Sequence, residues 1–194
     1  MLALFDIDGT LLLAGGAGAR TLAAVFARRY GIDDAMRGIR CAGKTDPMIV
    51  NEMFRQALDR APEHKELWEL LDDYERALPA ELERSAGFRL MPNVQETLDY
   101  LDNRPGAVLG IATGNTATGA EVKLRHARLD HRFAVGGYGS DHSERAKLVA
   151  TAIDRGQAHA GRSFSTDEVV VIGDTPRDVE ACLLYTSDAA DDLL

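Results

Sequence analysis

The chain is short of sulfur, of positive charge and of long apolar runs, and each shortage narrows what it can be. Its 2 cysteines, Cys41 and Cys182, are far apart and lack metal-site spacing, which argues against a disulfide scaffold and points to a reducing cytoplasm. No stretch approaches the roughly 18 consecutive apolar residues of a membrane span, and the short apolar start Leu2–Asp6 is no signal peptide. Lysine and arginine total 22 against 31 aspartates and glutamates, a net charge of −9, which argues against nucleic acid or an anionic membrane surface as partner. An anionic substrate would have to be drawn in by local positive groups and a metal, not by the global field. The 5 histidines are scattered, with no pair at metal-binding spacing. What remains is ordinary globular composition, 45% hydrophobic and 27% charged, in 194 residues, enough for one domain or a core with a small insertion.

Against that background the N-terminus stands out. Leu2-Ala3-Leu4-Phe5 is a short apolar run that ends in Asp6-Ile7-Asp8-Gly9-Thr10. Such a run, closed by a turn signal, reads as a strand buried on both faces. Strand alternation points Asp6 and Asp8 the same way, just past the carboxyl end of the strand, where open α/β sheets bind their ligands. Gly9 lets the chain turn without a Cβ in the way. Two like charges about 4 Å apart cost roughly 4 kcal/mol at an effective dielectric of 20. A divalent cation would remove that cost, and hard oxygen ligands select magnesium or calcium.

The rest of the chain alternates between helical and strand patterns. Residues 14–19 form a glycine-rich connector, read as a flexible link. From 19 to about 85 the apolar spacing is helical, with Leu22, Val25, Phe26 and Tyr30 on one stripe that Gly31 closes. Asp46-Pro47 is expected to cap a second helix, and Pro79 to break or kink a third. Lys44, just before the second helix, is either an exposed lysine beside a capping motif or a group that reaches across to a substrate. A core pattern resumes near Met91, and the strand at 107–112 ends in Thr113-Gly114-Asn115, neutral donors for an oxyanion. A short strand at 133–136 precedes a loop at 137–141 and a helix capped by Ser143, which carries both Arg145 and Lys147. The β-branched run Val169-Val170-Val171-Ile172 is a further strand. Asp174 lies just beyond its end, with Asp178 one helical turn further on if a helix starts at Pro176.

Phe5-Asp6-Ile7-Asp8-Gly9-Thr10-Leu11 resembles the first motif of the haloacid dehalogenase-like (HAD) hydrolases, and the later pieces match three further motifs in order. The resemblance implies an α/β fold with a Rossmann-like parallel sheet core, residues 1–14 and 89–182, and an all-helical cap inserted at 15–88. It makes Asp6 the nucleophile, Asp8 a general acid/base, and Thr113 with the Gly114 and Asn115 amides a phosphoryl clamp. The positive third-motif residue is Lys147 or Arg145, which sequence does not separate. Asp6, the Asp8 carbonyl and Asp174 would hold Mg2+, with Asp178 in support. The implied activity is that of a cytoplasmic, magnesium-dependent phosphatase of the phosphoglycolate phosphatase-like subgroup. It would act on a small phosphorylated metabolite, as a monomer or homodimer, with the cap closing about a Gly15–Gly18 hinge. Phosphonate cleavage through a Schiff base on Lys44, phosphosugar mutation, and a non-catalytic scaffold are the competing readings. After Cys182 the family pattern would continue to another strand, whereas 183–194 has no strand run, so a missing C-terminal strand and an exposed fourth-strand edge are expected.

Overall fold

The structure, a computed structural model, describes residues 1–181. The atypical tail at 183–194 and Cys182 lie outside them.

Strand β1 (Leu2–Phe5) is buried along its whole length because both of its faces are covered. Ala3 and Phe5 belong to the larger core, while Leu2 and Leu4 pack with Leu148, Val149, Ala152 and Ile153 of helix α6 (Arg145–Ala160). Strands β4 (Val108–Thr113) and β6 (Val169–Ile172) flank β1 in parallel, and β5 (Val135–Tyr138) lies outside β4. The sheet order is β5-β4-β1-β6, so among the described residues β6 is an edge strand. Phe5 is level with both Ile111 and Ile172, which brings the carboxyl ends of three strands to one edge. That register is what gathers Asp6, Thr113 and Asp174. Helices α4 (Val94–Asp102) and α5 (Ala117–His126) complete the parallel core, the expected Rossmann-like α/β arrangement.

The helical cap hangs from two strands that hydropathy patterning does not reveal. Strands β2 (Leu12–Ala14) and β3 (Phe88–Leu90) pair antiparallel, with Ala14 opposite Phe88. Between them run α1 (Ala17–Tyr30), α2 (Asp46–Leu58) and α3 (His64–Glu83). Phe26, Tyr30 and Phe54 meet edge-on or tilted, with ring centroids 4.7–5.3 Å apart, at the centre of the cap. The glycine-rich connector is shorter than its composition suggests. Gly15 and Gly16 take positive φ, but α1 begins at Ala17 and contains Gly18. A Cβ on Gly15 would lie 2.6 Å from the Gly87 carbonyl carbon, so the two crossings touch backbone to backbone. Thr45, not Asp46, caps α2, its hydroxyl accepting from the Met48 amide at 3.4 Å. Pro79 sits inside α3 without ending it, and Glu144 rather than Ser143 precedes α6. Strand β5 runs to Tyr138, through residues expected in a loop. Among the described residues, no helix is long and apolar enough to cross a membrane.

Candidate active site

Asp6 follows β1 and is held by the neighbouring strand, its amide donating to the Ile172 carbonyl at 2.9 Å. Its carboxylate is buried, with 6% of the residue exposed. Arg145, the first residue of α6, reaches it with Nη2 3.0 Å from Oδ2. The same guanidinium nitrogen ion-pairs with Asp178 and donates to the Ala112 carbonyl at 3.2 Å, while the buried Arg145 Nε has no acceptor among the described residues. Burial, first of all, lifts the Asp6 carboxyl above the ordinary aspartate range. Arg145 pulls against that lift and Asp178 adds to it. Thr113, fully buried at the end of β4, places a hydroxyl beside Asp6.

Asp6, Asp174 and Asp178 bring one carboxylate oxygen each within 4.8 Å of one another. Glycine makes this crowding possible: a Cβ on Gly9, at φ +89°, would come 2.3 Å from Asp174 Oδ2. The three hard oxygen donors, with one arginine between them, fit a hard divalent cation. Asp178 has less freedom than the other two. Besides Arg145 it accepts from the Thr175 amide at 3.1 Å and the Thr175 hydroxyl at 2.6 Å, so it orders the loop after β6.

Asp8 stands apart from that cluster. Its Oδ2 accepts from Lys123 Nζ at 2.5 Å and from Asn115 Nδ2 at 2.9 Å. Asn115 Nδ2 also donates to the Thr113 hydroxyl at 2.8 Å, and Asn115 Oδ1 accepts from Lys123 at 2.6 Å. Lys123 is a buried cation on α5 that the sequence reading passed over. Burial lowers its pKa, but Asp8 and Asp46 outweigh that and raise it above the ordinary lysine value. The signal was present: Lys123 interrupts the buried stripe of α5, beside Gly119, Ala120 and Leu124.

The cap closes one side of the site. The Asp46 amide donates to the Gly114 carbonyl at 2.8 Å, and the Asp46 carboxylate accepts from the Thr116 amide at 2.9 Å. A Cβ on Gly114 would lie 2.2 Å from the Lys44 carbonyl oxygen. From the core, Arg177 donates to the Gly43 carbonyl at 3.1 Å. Full burial pushes Asp46 up to about 6, against the pull of Lys123. Between cap and core lies a cavity of about 500 Å3 that takes in Asp6, Asp8, Lys123, Arg145 and Asp174, with Leu22, Ile49 and Tyr74 on the cap side.

The structure thus brings together Asp6, Asp8, Thr113, Gly114, Asn115, Arg145, Asp174 and Asp178. It does not bring Lys147, which is half-exposed and pairs with Glu144 at 2.9 Å on the outer face of α6. An α-helix turns two residues away from Arg145 to nearly the opposite side, which is why only one of the two can reach Asp6. Lys44 lines the cavity, but its Nζ is 2.5 Å from Glu52.

The fold has many solved relatives. CbbY from Rhodobacter sphaeroides, solved in complex with phosphate, is similar at a TM-score of 0.71 and 16% identity, over 94% of this chain and 81% of its own. A hydrolase from Pseudomonas syringae follows at 0.69 and 19%, over 94% and 80%. A haloacid dehalogenase-like family hydrolase from Streptococcus pneumoniae gives 0.61 and 18%, over 94% and 80%. No curated protein gives a significant match. The family model for haloacid dehalogenase-like hydrolases matches residues 3–185, and with those motifs at the strand ends of this fold the chain belongs to that family.

Proposed function

We propose that the protein hydrolyses small phosphate monoesters through a phosphorylated Asp6. The observation that carries this reading is a buried carboxylate at a strand end, flanked by a hydroxyl and a guanidinium and grouped with the Asp174 and Asp178 carboxylates, with Asp6 and Asp174 lining a cavity between cap and core. Asp6 attacks phosphorus in line, forming a carboxylate–phosphorus bond as the ester oxygen leaves. Asp8, protonated, gives its proton to that oxygen; as a carboxylate it then takes one from the water that releases phosphate. Thr113, the Gly114 and Asn115 amides and Arg145 hold the equatorial oxygens where charge accumulates. Arg145 Nε is a buried donor with no acceptor among the described residues, which supports that task. Asp6, the Asp8 carbonyl and Asp174 would hold Mg2+, with Asp178 in support; the ion, when bound, screens the nucleophile from the phosphate dianion. Residues 15–88 serve as the cap and 1–14 with 89–182 as the core. Cap docking excludes bulk water and sets which leaving groups fit.

The test is phosphate release over a panel of small phosphoesters with Mg2+, alongside Asp6→Asn. Turnover that needs added Mg2+ and falls to background in Asp6→Asn is expected. Turnover that survives the substitution would overturn the proposal.

A further inference from the structure

Lys123, which lies outside the four motifs, closes a hydrogen-bonded ring with Asp8 and Asn115. An ammonium group taken out of water costs several kcal/mol unless acceptors surround it. Lys123, 4% exposed, has two at hydrogen-bond distance, and both lie on the reaction side of the fold: Asp8 Oδ2 at 2.5 Å and Asn115 Oδ1 at 2.6 Å. Asn115 closes the ring by donating to the same Asp8 oxygen at 2.9 Å. One oxygen of Asp8 is therefore held by two donors, one from α5 and one from the loop after β4. Asp8 Oδ1 has no hydrogen bond among the described residues, in a side chain that is 44% exposed beside the cavity. The asymmetry matters because a carboxyl group that moves protons must present one defined oxygen at about 3 Å from its partner atom. A carboxylate free to rotate would lose that orientation in part of the population.

We propose that Lys123 is a positioning residue for the reaction: with Asn115 it clamps Asp8 by Oδ2, so that Oδ1 serves the leaving oxygen and then the water. The inference rests on the phosphatase reading above. In the first half-reaction the proton on Oδ1 passes to the ester oxygen as its bond to phosphorus breaks. In the second, Oδ1 takes a proton from water as the water oxygen bonds to phosphorus and the bond between Asp6 and phosphorus breaks, which frees phosphate and restores the starting state. Lys123 gives up no proton and touches no reacting atom.

The experiment compares two esters in single turnover. A nitrophenolate leaves without needing a proton, whereas an alkoxide does not. Lys123→Met should slow release from the best alkyl phosphate of the panel by about 30-fold or more, and from p-nitrophenyl phosphate by less than about 3-fold. Added to Asp8→Asn, it should slow the alkyl ester by less than about 3-fold, since both changes disable one device. Lys123→Gln, which keeps a neutral donor, should recover part of the loss, and replaces the methionine variant if that one does not fold. Equal slowing of both esters, or an additive double mutant, would overturn the role. Crystals of the variant give a readout independent of turnover: Asp8 should have turned away from Asn115, and an unmoved carboxylate would also overturn it. A wild-type protein inactive on both esters would refute the phosphatase reading instead, while the crystal comparison still decides the clamp.

Discussion

Gly114→Ala tests whether a docked cap is needed for turnover. A Cβ there would lie 2.2 Å from the Lys44 carbonyl oxygen and 3.2 Å from Thr45 Cα, both backbone atoms of the cap. Neither can rotate aside, so the cap loop must retreat by roughly 1 Å. That retreat stretches the Asp46 amide contact to the Gly114 carbonyl, 2.8 Å in the docked form, and weakens the 2.9 Å bond from the Thr116 amide to Asp46. Overpacking typically costs 1–3 kcal/mol and each lost hydrogen bond about 1, so the docked form should lose roughly 2–4 kcal/mol. At 1.4 kcal/mol per decade this is a fall of about 30- to 1,000-fold in kcat/KM for a small phosphoester, measured by phosphate release. Global stability should change by less than about 1 kcal/mol in a urea titration, because the loop that carries Lys44 and Thr45 supplies neither of those side chains to the hydrophobic clusters. Wild-type kcat/KM in the alanine variant would refute the argument. So would a stability loss as large as the activity loss, which would mean that the methyl group had damaged the core.

The two basic residues of α6 should behave differently. Arg145→Met leaves Asp6 and Asp178 buried without their shared cation and should cost about 3–5 kcal/mol in urea, with turnover abolished. Lys147→Ala removes an exposed pair and should stay within about 0.5 kcal/mol and twofold in rate. Asp46, raised to about 6 by burial, binds its proton more tightly folded than unfolded, so its contribution to stability should decline as pH rises from about 4 to 6. Asp46→Asn should flatten that decline, by up to about 3 kcal/mol, in urea titrations across the window. Mg2+ at a hundredfold excess over its Kd should add about 2.7 kcal/mol to stability in thermal scans, and Asp174→Asn should remove most of it.

The strand ends were readable because a buried parallel strand followed by acidic or hydroxyl residues leaves few other readings, and Asp6, Thr113 and Asp174 do meet at one edge. Arg145 and Lys147 could not be separated from spacing alone, since the choice depends on which side of α6 packs over β1. Strands β2 and β3 escaped because three residues are too few to show a period. Asp46-Pro47 looks like a cap and a first turn, yet Thr45 takes the capping role and frees Asp46 for a contact across the cap interface. Lys123 was hidden by habit: a lysine in a helix is read as solvated until its neighbours on the stripe are counted. Contacts between segments far apart in sequence, as between Asp46 and Thr116 or Asp8 and Lys123, leave no local pattern to find.

The paired strands at the root of the cap carry a consequence for the architecture. Ala14 and Phe88 face each other as direct partners, and the Ser85 hydroxyl donates to the Ala14 carbonyl at 2.8 Å. The chain therefore leaves the sheet module and returns to it at nearly one point, so everything between is attached as a cassette. A tight turn could join the two strands directly and leave β1, β4, β5 and β6 in register. The groups proposed to react or to hold the phosphate and ion, Asp6, Thr113, Arg145 and Asp174, all lie outside the cassette, so exchanging it for another helical insert should change which molecules fit the cavity while those groups stay in place.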